Sequence, residues 1–194
     1  GPAGRKRQPH PQGRYQRGTP ILRFQQQKIL LCLWDRRWPT PVPSHREILS
    51  EKYWGSRVFA PSSLLVFVGF DKKIENISHH ALFFDVDFNQ HAAAIYDDPK
   101  WPEAPLFYAN FPSKTDKTAA PEGMESGFFL IPLAPGINDT EALRETYFEK
   151  IITRFEQLTQ QKIKNSIIFK ESFCKNDFVT DYNAYKGNAY GMAN

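Results

Sequence analysis

FFLIPL, residues 128–133 within EGMESGFFLIPLAPG (122–136), is apolar at every position. An alternating pattern would mark a strand with one wet face, whereas an unbroken apolar run marks a strand internal to a sheet. Pro132 has no N–H to give to a ladder, so pairing there is restricted. Just upstream, APLFYANFPSKTD (104–116) alternates with a period of two. Leu106 and Tyr108 point one way, and Phe107, Ala109 and Phe111 the other. Three further strands are expected: residues 63–70 after Pro61-Ser62, 80–85, and 163–172. HALFFDVDFNQH (80–91) passes from strand into a short helix over 87–96, with Asp87 as N-cap. The longest helix is expected over 140–161. Leu143, Phe148, Ile151, Ile152, Phe155 and Leu158 form its apolar stripe, and Asn138 with Glu141 has capping-box spacing, Asp139 being the alternative cap. The tail from Asp177 reads as turn and short helix. The fold class is therefore α+β: a mainly antiparallel mixed sheet with one face covered by a long helix.

The chain has 194 residues, enough for one domain with a sizeable core. Its 16 phenylalanines suit an aromatic core or an apolar binding site. The net charge of +4 conceals an asymmetry. Residues 1–46 carry ten Lys/Arg and one acid, leaving 15 basic and 20 acidic residues in the remainder. Residues 1–45 are rich in Pro, Arg, Gln and Gly and read as a basic, disordered segment. Such a tail could meet RNA or an anionic surface, but it holds no folded recognition motif, and nucleic acid is not the expected partner. Cys32 and Cys174 do not make a disulfide framework and suit a reducing compartment. No apolar run reaches the roughly 18 residues a spanning helix needs.

Short motifs do not supply a chemistry. Asp85-Val86-Asp87-Phe88-Asn89 begins like a calcium loop, but Gln90 stands where the turn needs glycine and Tyr96 where it needs glutamate. His79, His80 and His91 near Asp85 and Asp87 lack metal-ligand spacing, so no metal is expected. Cys174 has no recognisable base beside it. No GxSxG, phosphate loop or GxGxxG occurs, and no catalytic residue is assigned.

Longer stretches say more. HALFFDVDFNQH, APLFYANFPSKTD, EGMESGFFLIPLAPG and NDFVTDYNAYKGNAYGMAN (176–194) together resemble the flavin-dependent carotenoid desaturases of the phytoene desaturase type. Ser50-Glu51-Lys52-Tyr53-Trp54 and Ala60-Pro61-Ser62-Ser63-Leu64 extend the resemblance, which covers residues 46–194, read as a partial, substrate-side domain.

The resemblance implies an amine-oxidase-like flavoenzyme that takes hydrogen from a long apolar polyene, passing a hydride to FAD and losing a proton. It implies a carotenoid substrate, peripheral association with a membrane, and a cytoplasmic location at that surface. Recognition of a polyene must come from apolar burial, so Phe83, Phe107, Phe111 and Phe129 are candidates to line a tunnel, although one face of each strand is equally plain core. Gly187, Asn188, Tyr190 and Gly191 are implied to lie near cofactor or substrate, the alternative being a Gly-rich turn at a domain junction. The family's two flavin-binding motifs are absent. The abrupt change near His45 and Arg46 reads as a frame change or a wrongly joined start. The alternative function is a non-catalytic fragment, or a small module binding an apolar ligand or RNA. Oxygenase and isomerase relatives share the fold, so the reaction itself is inferred from resemblance.

Overall fold

The structure is a computed structural model and describes residues 51–191. The basic segment 1–45, with its expected disorder, lies outside the described residues. A five-stranded sheet organises the rest, in the order β2-β3-β4-β1-β5. The strands are β1 (Ser62–Phe70), β2 (His80–Phe83), β3 (Phe107–Asn110), β4 (Glu125–Leu133) and β5 (Ile167–Phe173). Every pairing is antiparallel. The helices are α1 (Glu51–Gly55), α2 (Phe88–Tyr96), α3 (Glu141–Thr159) and α4 (Lys175–Tyr182).

The unbroken apolar run 128–133 is explained by its place. β4 is held between β3 and β1, and β1 between β4 and β5. Pro132 sits opposite Ser63, and its carbonyl accepts a hydrogen bond from His91. β4 starts three residues earlier than its apolar run, at Glu125, because Ser126 and Gly127 continue the ladder against Gly69 and Val68.

α3 lies across one face of the sheet. Tyr147, Phe148, Ile151, Ile152 and Phe155 on the helix meet Leu64, Val66, Val68, Phe107, Phe111, Phe129 and Ile131 on the strands. Phe129 meets Phe155 edge-on at 5.7 Å between ring centroids, and Phe148 at 6.3 Å. The apolar stripe differs from expectation at its ends. Leu158, in the last turn, is 47% exposed, while Arg144 in the second turn is buried. Thr140 caps the helix, its hydroxyl accepting from the Leu143 N–H at 3.3 Å. Asp139, a candidate cap, instead holds Arg144 through two bonds of 2.7 Å.

Two boundaries also moved. Lys164–Ser166 forms a 3-10 turn, so β5 begins at Ile167 rather than 163. Residues 175–182 form a full helix, because the Asp177 carboxylate takes the Cys174 N–H at 2.8 Å and starts it. The α+β class, the antiparallel sheet and the covering helix agree with the sequence.

Candidate functional site

The sheet has a second face that α3 does not cover. Antiparallel partners present their side chains on the same side. One row across this face runs His80, Asn110, Phe128, Phe67, Glu171, and the next runs Leu82, Tyr108, Leu130, Leu65, Phe173. At the β5 end, α4 closes the face, with Phe178 edge-on to Phe173 at 4.9 Å. Toward β2 the face is open. Phe67, Phe128, Leu130 and Tyr108 are half-buried, and Leu82 is 67% exposed. Phe67 and Phe128 touch, with centroids 5.1 Å apart. Contiguous exposed apolar surface of this kind marks a surface that something else covers.

One corner of the open face is polar. Tyr108 Oη lies 2.6 Å from His80 Nδ1 and accepts from Asn110 Nδ2 at 2.8 Å. His79 stacks on His80 at 4.1 Å and reaches Thr115 Oγ1 at 2.7 Å. A second, open groove lies along α3, with Ala104, Pro105 and Ala142 in its lining beside the charged Glu145, Glu149 and Arg154.

The phenylalanines expected to line a tunnel sit on the other side of the sheet. Phe107, Phe111 and Phe129 are at most 2% exposed and belong to the core beneath α3. Phe83 is half-buried, stacked on Phe107 at 4.4 Å and packed against Phe155 at 5.5 Å. The reason is parity. Side chains alternate between faces along a strand, so the odd-numbered phenylalanines of β3 and β4 turn to the helix, and Tyr108, Phe128 and Leu130 to the open face.

The glycine-rich tail is laid against the entry to β1. The Ala60 N–H donates to the Gly191 carbonyl and the Ala189 N–H to the Pro61 carbonyl, each at 3.0 Å. Asn188 is buried and its amide donates to the Tyr185 carbonyl at 2.7 Å. Gly187 has φ +67°, and a Cβ there would stand 2.4 Å from the Lys175 carbonyl oxygen. Gly191 also has a positive φ, +93°. Tyr190 is 58% exposed.

Other candidate groups are packed away. His91 is buried, its Nε2 donating to the Pro132 carbonyl at 2.8 Å and its Nδ1 accepting from the Leu106 N–H at 2.9 Å. Burial holds it below its ordinary value; the Pro132 bond opposes this, and the nearby Arg154 charge adds to it. His91 therefore does not join His79 and His80. Among the described residues no three His, Cys, Asp or Glu side chains gather as metal ligands would. Cys174 is fully buried, and burial pushes its thiol up to about 12. A thiol so protonated is no nucleophile at neutral pH.

The described residues do not fit the dinucleotide of a flavin. Such a cradle needs parallel strands with a Gly-rich turn opening a helix, and every strand pair here is antiparallel. No helix among them is long and apolar enough to cross a membrane.

The chain is similar to a carotenoid 3,4-desaturase of Haloarcula japonica, at 35% identity over 152 residues, 78% of this chain and 31% of that protein. It is 26% identical over 160 residues to a 4,4'-diaponeurosporene oxygenase of Staphylococcus haemolyticus, covering 78% of this chain and 32% of that one. A 4,4'-diapolycopen-4-al dehydrogenase of Metabacillus indicus is 26% identical over 153 residues, 78% of this chain and 31% of its own. The chain thus spans about a third of the length of these relatives. No family model matches it.

Proposed function

Because the chain belongs to the carotenoid desaturase family, we propose that it forms the substrate-side part of a carotenoid-modifying oxidoreductase and that its open sheet face is the wall against which a polyene lies. The observation that carries this is the apolar patch formed by Leu82, Leu130, Phe67 and Phe128 on two neighbouring rows, over which no helix lies among the described residues, whereas α3 packs on the opposite face. A long hydrocarbon gains affinity only from apolar contact, about 25 cal/mol per Å² removed from water, and flat aromatic rings suit a flat conjugated chain.

The finer reading is double-bond introduction of the phytoene desaturase type, with FAD accepting the hydride within an amine-oxidase-like architecture. It rests on the resemblance alone. The residues described here bind and orient; no step of the chemistry is assigned to them. A peripheral place at a membrane surface, where such a substrate dissolves, belongs to the same proposal. A second reading, an apolar-ligand module without redox chemistry, is favoured by one observation: among the described residues every strand pair is antiparallel and none offers a seat for a dinucleotide.

The test is a titration of the purified chain with a C40 polyene in micelles, followed by quenching of its aromatic fluorescence. Saturable binding is expected, weakened at least about tenfold by Phe128→Asp, the order of change expected when a charge faces apolar surface. Absence of saturation would sink the proposal. FAD added to the chain alone is expected to keep an unchanged spectrum, because the described residues hold no dinucleotide seat; a perturbed spectrum would overturn the binding-module reading.

A further inference from the structure

We propose that His80, Tyr108 and Asn110 form a hydrogen-bonding subsite for a hydroxyl group at one end of a long apolar substrate. The inference rests on the open face being the polyene wall, and adds to it which polyene the wall prefers.

The corner is built from three strands' worth of register, since His80 pairs with Asn110 and Asn110 with Phe128. The polar groups therefore sit on the same face as the apolar patch and directly beside it. Tyr108 Oη accepts from Asn110 Nδ2 at 2.8 Å, so its single proton is free to go to His80 Nδ1, 2.6 Å away. That places the proton of a neutral His80 on Nε2, at the exposed edge of the ring, as assigned from the hydrogen-bond pattern.

The cluster is not self-sufficient. Asn110 Oδ1 is shielded from solvent and has no hydrogen-bond partner. Exchanging the oxygen and nitrogen of the amide leaves an unpartnered N–H₂ in its place, so the amide lacks one partner in either assignment. The terminal torsion of asparagine is soft, so the half-buried amide can turn its Oδ1 toward a ligand at the cost of its 2.8 Å bond to Tyr108 Oη. A hydrocarbon laid over this corner would bury three polar side chains against C–H bonds, an unfavourable exchange. A hydroxyl fits: it can donate to Asn110 Oδ1 and accept from His80 Nε2–H while the chain behind it crosses Phe128 and Phe67. Discrimination by hydrogen bonding to a substrate hydroxyl is far stronger than discrimination by shape alone.

The experiment compares two polyenes of equal length, one a hydrocarbon and one with a terminal hydroxyl, each titrated in micelles against the wild-type chain, Tyr108→Phe and Asn110→Leu, with circular dichroism as the check on folding. The wild type is expected to bind the alcohol about tenfold more tightly, roughly one good hydrogen bond. Both variants are expected to fall below a twofold preference, because removing a polar group from the corner weakens alcohol binding and strengthens hydrocarbon binding. Equal affinity of the wild type for both polyenes overturns the subsite and leaves the polyene wall standing. Failure to bind either overturns both. A folded Tyr108→Phe that keeps the full preference also overturns the subsite.

Discussion

At the scale of single residues, the structure separates histidines that a sequence cannot. His91 is a neutral, doubly bonded part of the interior. Its folded value lies below the ordinary 6.5, so the neutral form is favoured in the fold. The sign follows from linkage: its contribution is complete above the unfolded value and is lost progressively as pH falls below it, until the folded value is passed. Unfolding free energy should therefore decline below pH about 6.5. His91→Leu should flatten that part of the decline, while lowering stability at neutral pH by about 1–3 kcal/mol through the stranded Leu106 N–H. Denaturant titrations at several pH values check both. Gly187 offers a second test. Gly187→Ala meets the Lys175 carbonyl at 2.4 Å with φ +67°, and should lose about 1–3 kcal/mol of stability from strain alone. Thermal unfolding without any ligand measures this, and an unchanged midpoint would shift the reason for the glycine from packing to a ligand.

Among elements, α3 is the one on which the core depends, and its two ends behave differently. Arg144 in its second turn binds Asp139 before the helix and Asp177 in α4, the latter at 2.8 Å. Burial pushes the Asp139 carboxyl up, but the Arg144 bonds and charge and the Asn176 N–H outweigh it and hold the group below the usual carboxylate range. Arg144→Ala strands a buried carboxylate and should cost about 3–5 kcal/mol, with α4 the first segment to gain amide exchange. At the other end Gln160 closes the helix in the left-handed conformation, φ 54°. Glycine takes that conformation freely, so Gln160→Gly should raise stability by up to about 1 kcal/mol, read as a higher midpoint in urea. The period of α3 was legible in the sequence, because its apolar spacing follows 3.6 residues. Its cap was not, because Asn138, Asp139 and Thr140 are all good capping residues and only the Arg144 contact takes Asp139 out of the choice.

For the whole molecule, the two faces of one sheet carry different duties. Phe129→Ala empties the space among Phe111, Phe148 and Phe155 and should cost about 3–5 kcal/mol. Phe128→Ser, on the neighbouring residue, removes a half-buried ring from the open face and should cost at most about 1.5 kcal/mol. Equal costs would mean that the open face is packed as tightly as the core, and the polyene wall would lose its basis. The glycine-rich tail completes the molecule by bonding to the approach to β1, which joins residues more than a hundred apart in sequence.

The sequence by itself determined the α+β class, the strands around 63–70, 107–111 and 128–133, and the long helix, because local periodicity and breakers encode local conformation. It also carried the family, through long stretches that the similarity to carotenoid desaturases, oxygenases and dehydrogenases bears out. Tertiary structure alone decided which face of each strand meets α3. A period of two says that Phe128 and Phe129 point opposite ways, but both are apolar, and nothing local marks which side the helix will take. That choice is set by the packing of α3 against β1, β3 and β4. It puts Phe107, Phe111 and Phe129 in the core and leaves Tyr108, Phe128 and Leu130 on the open face.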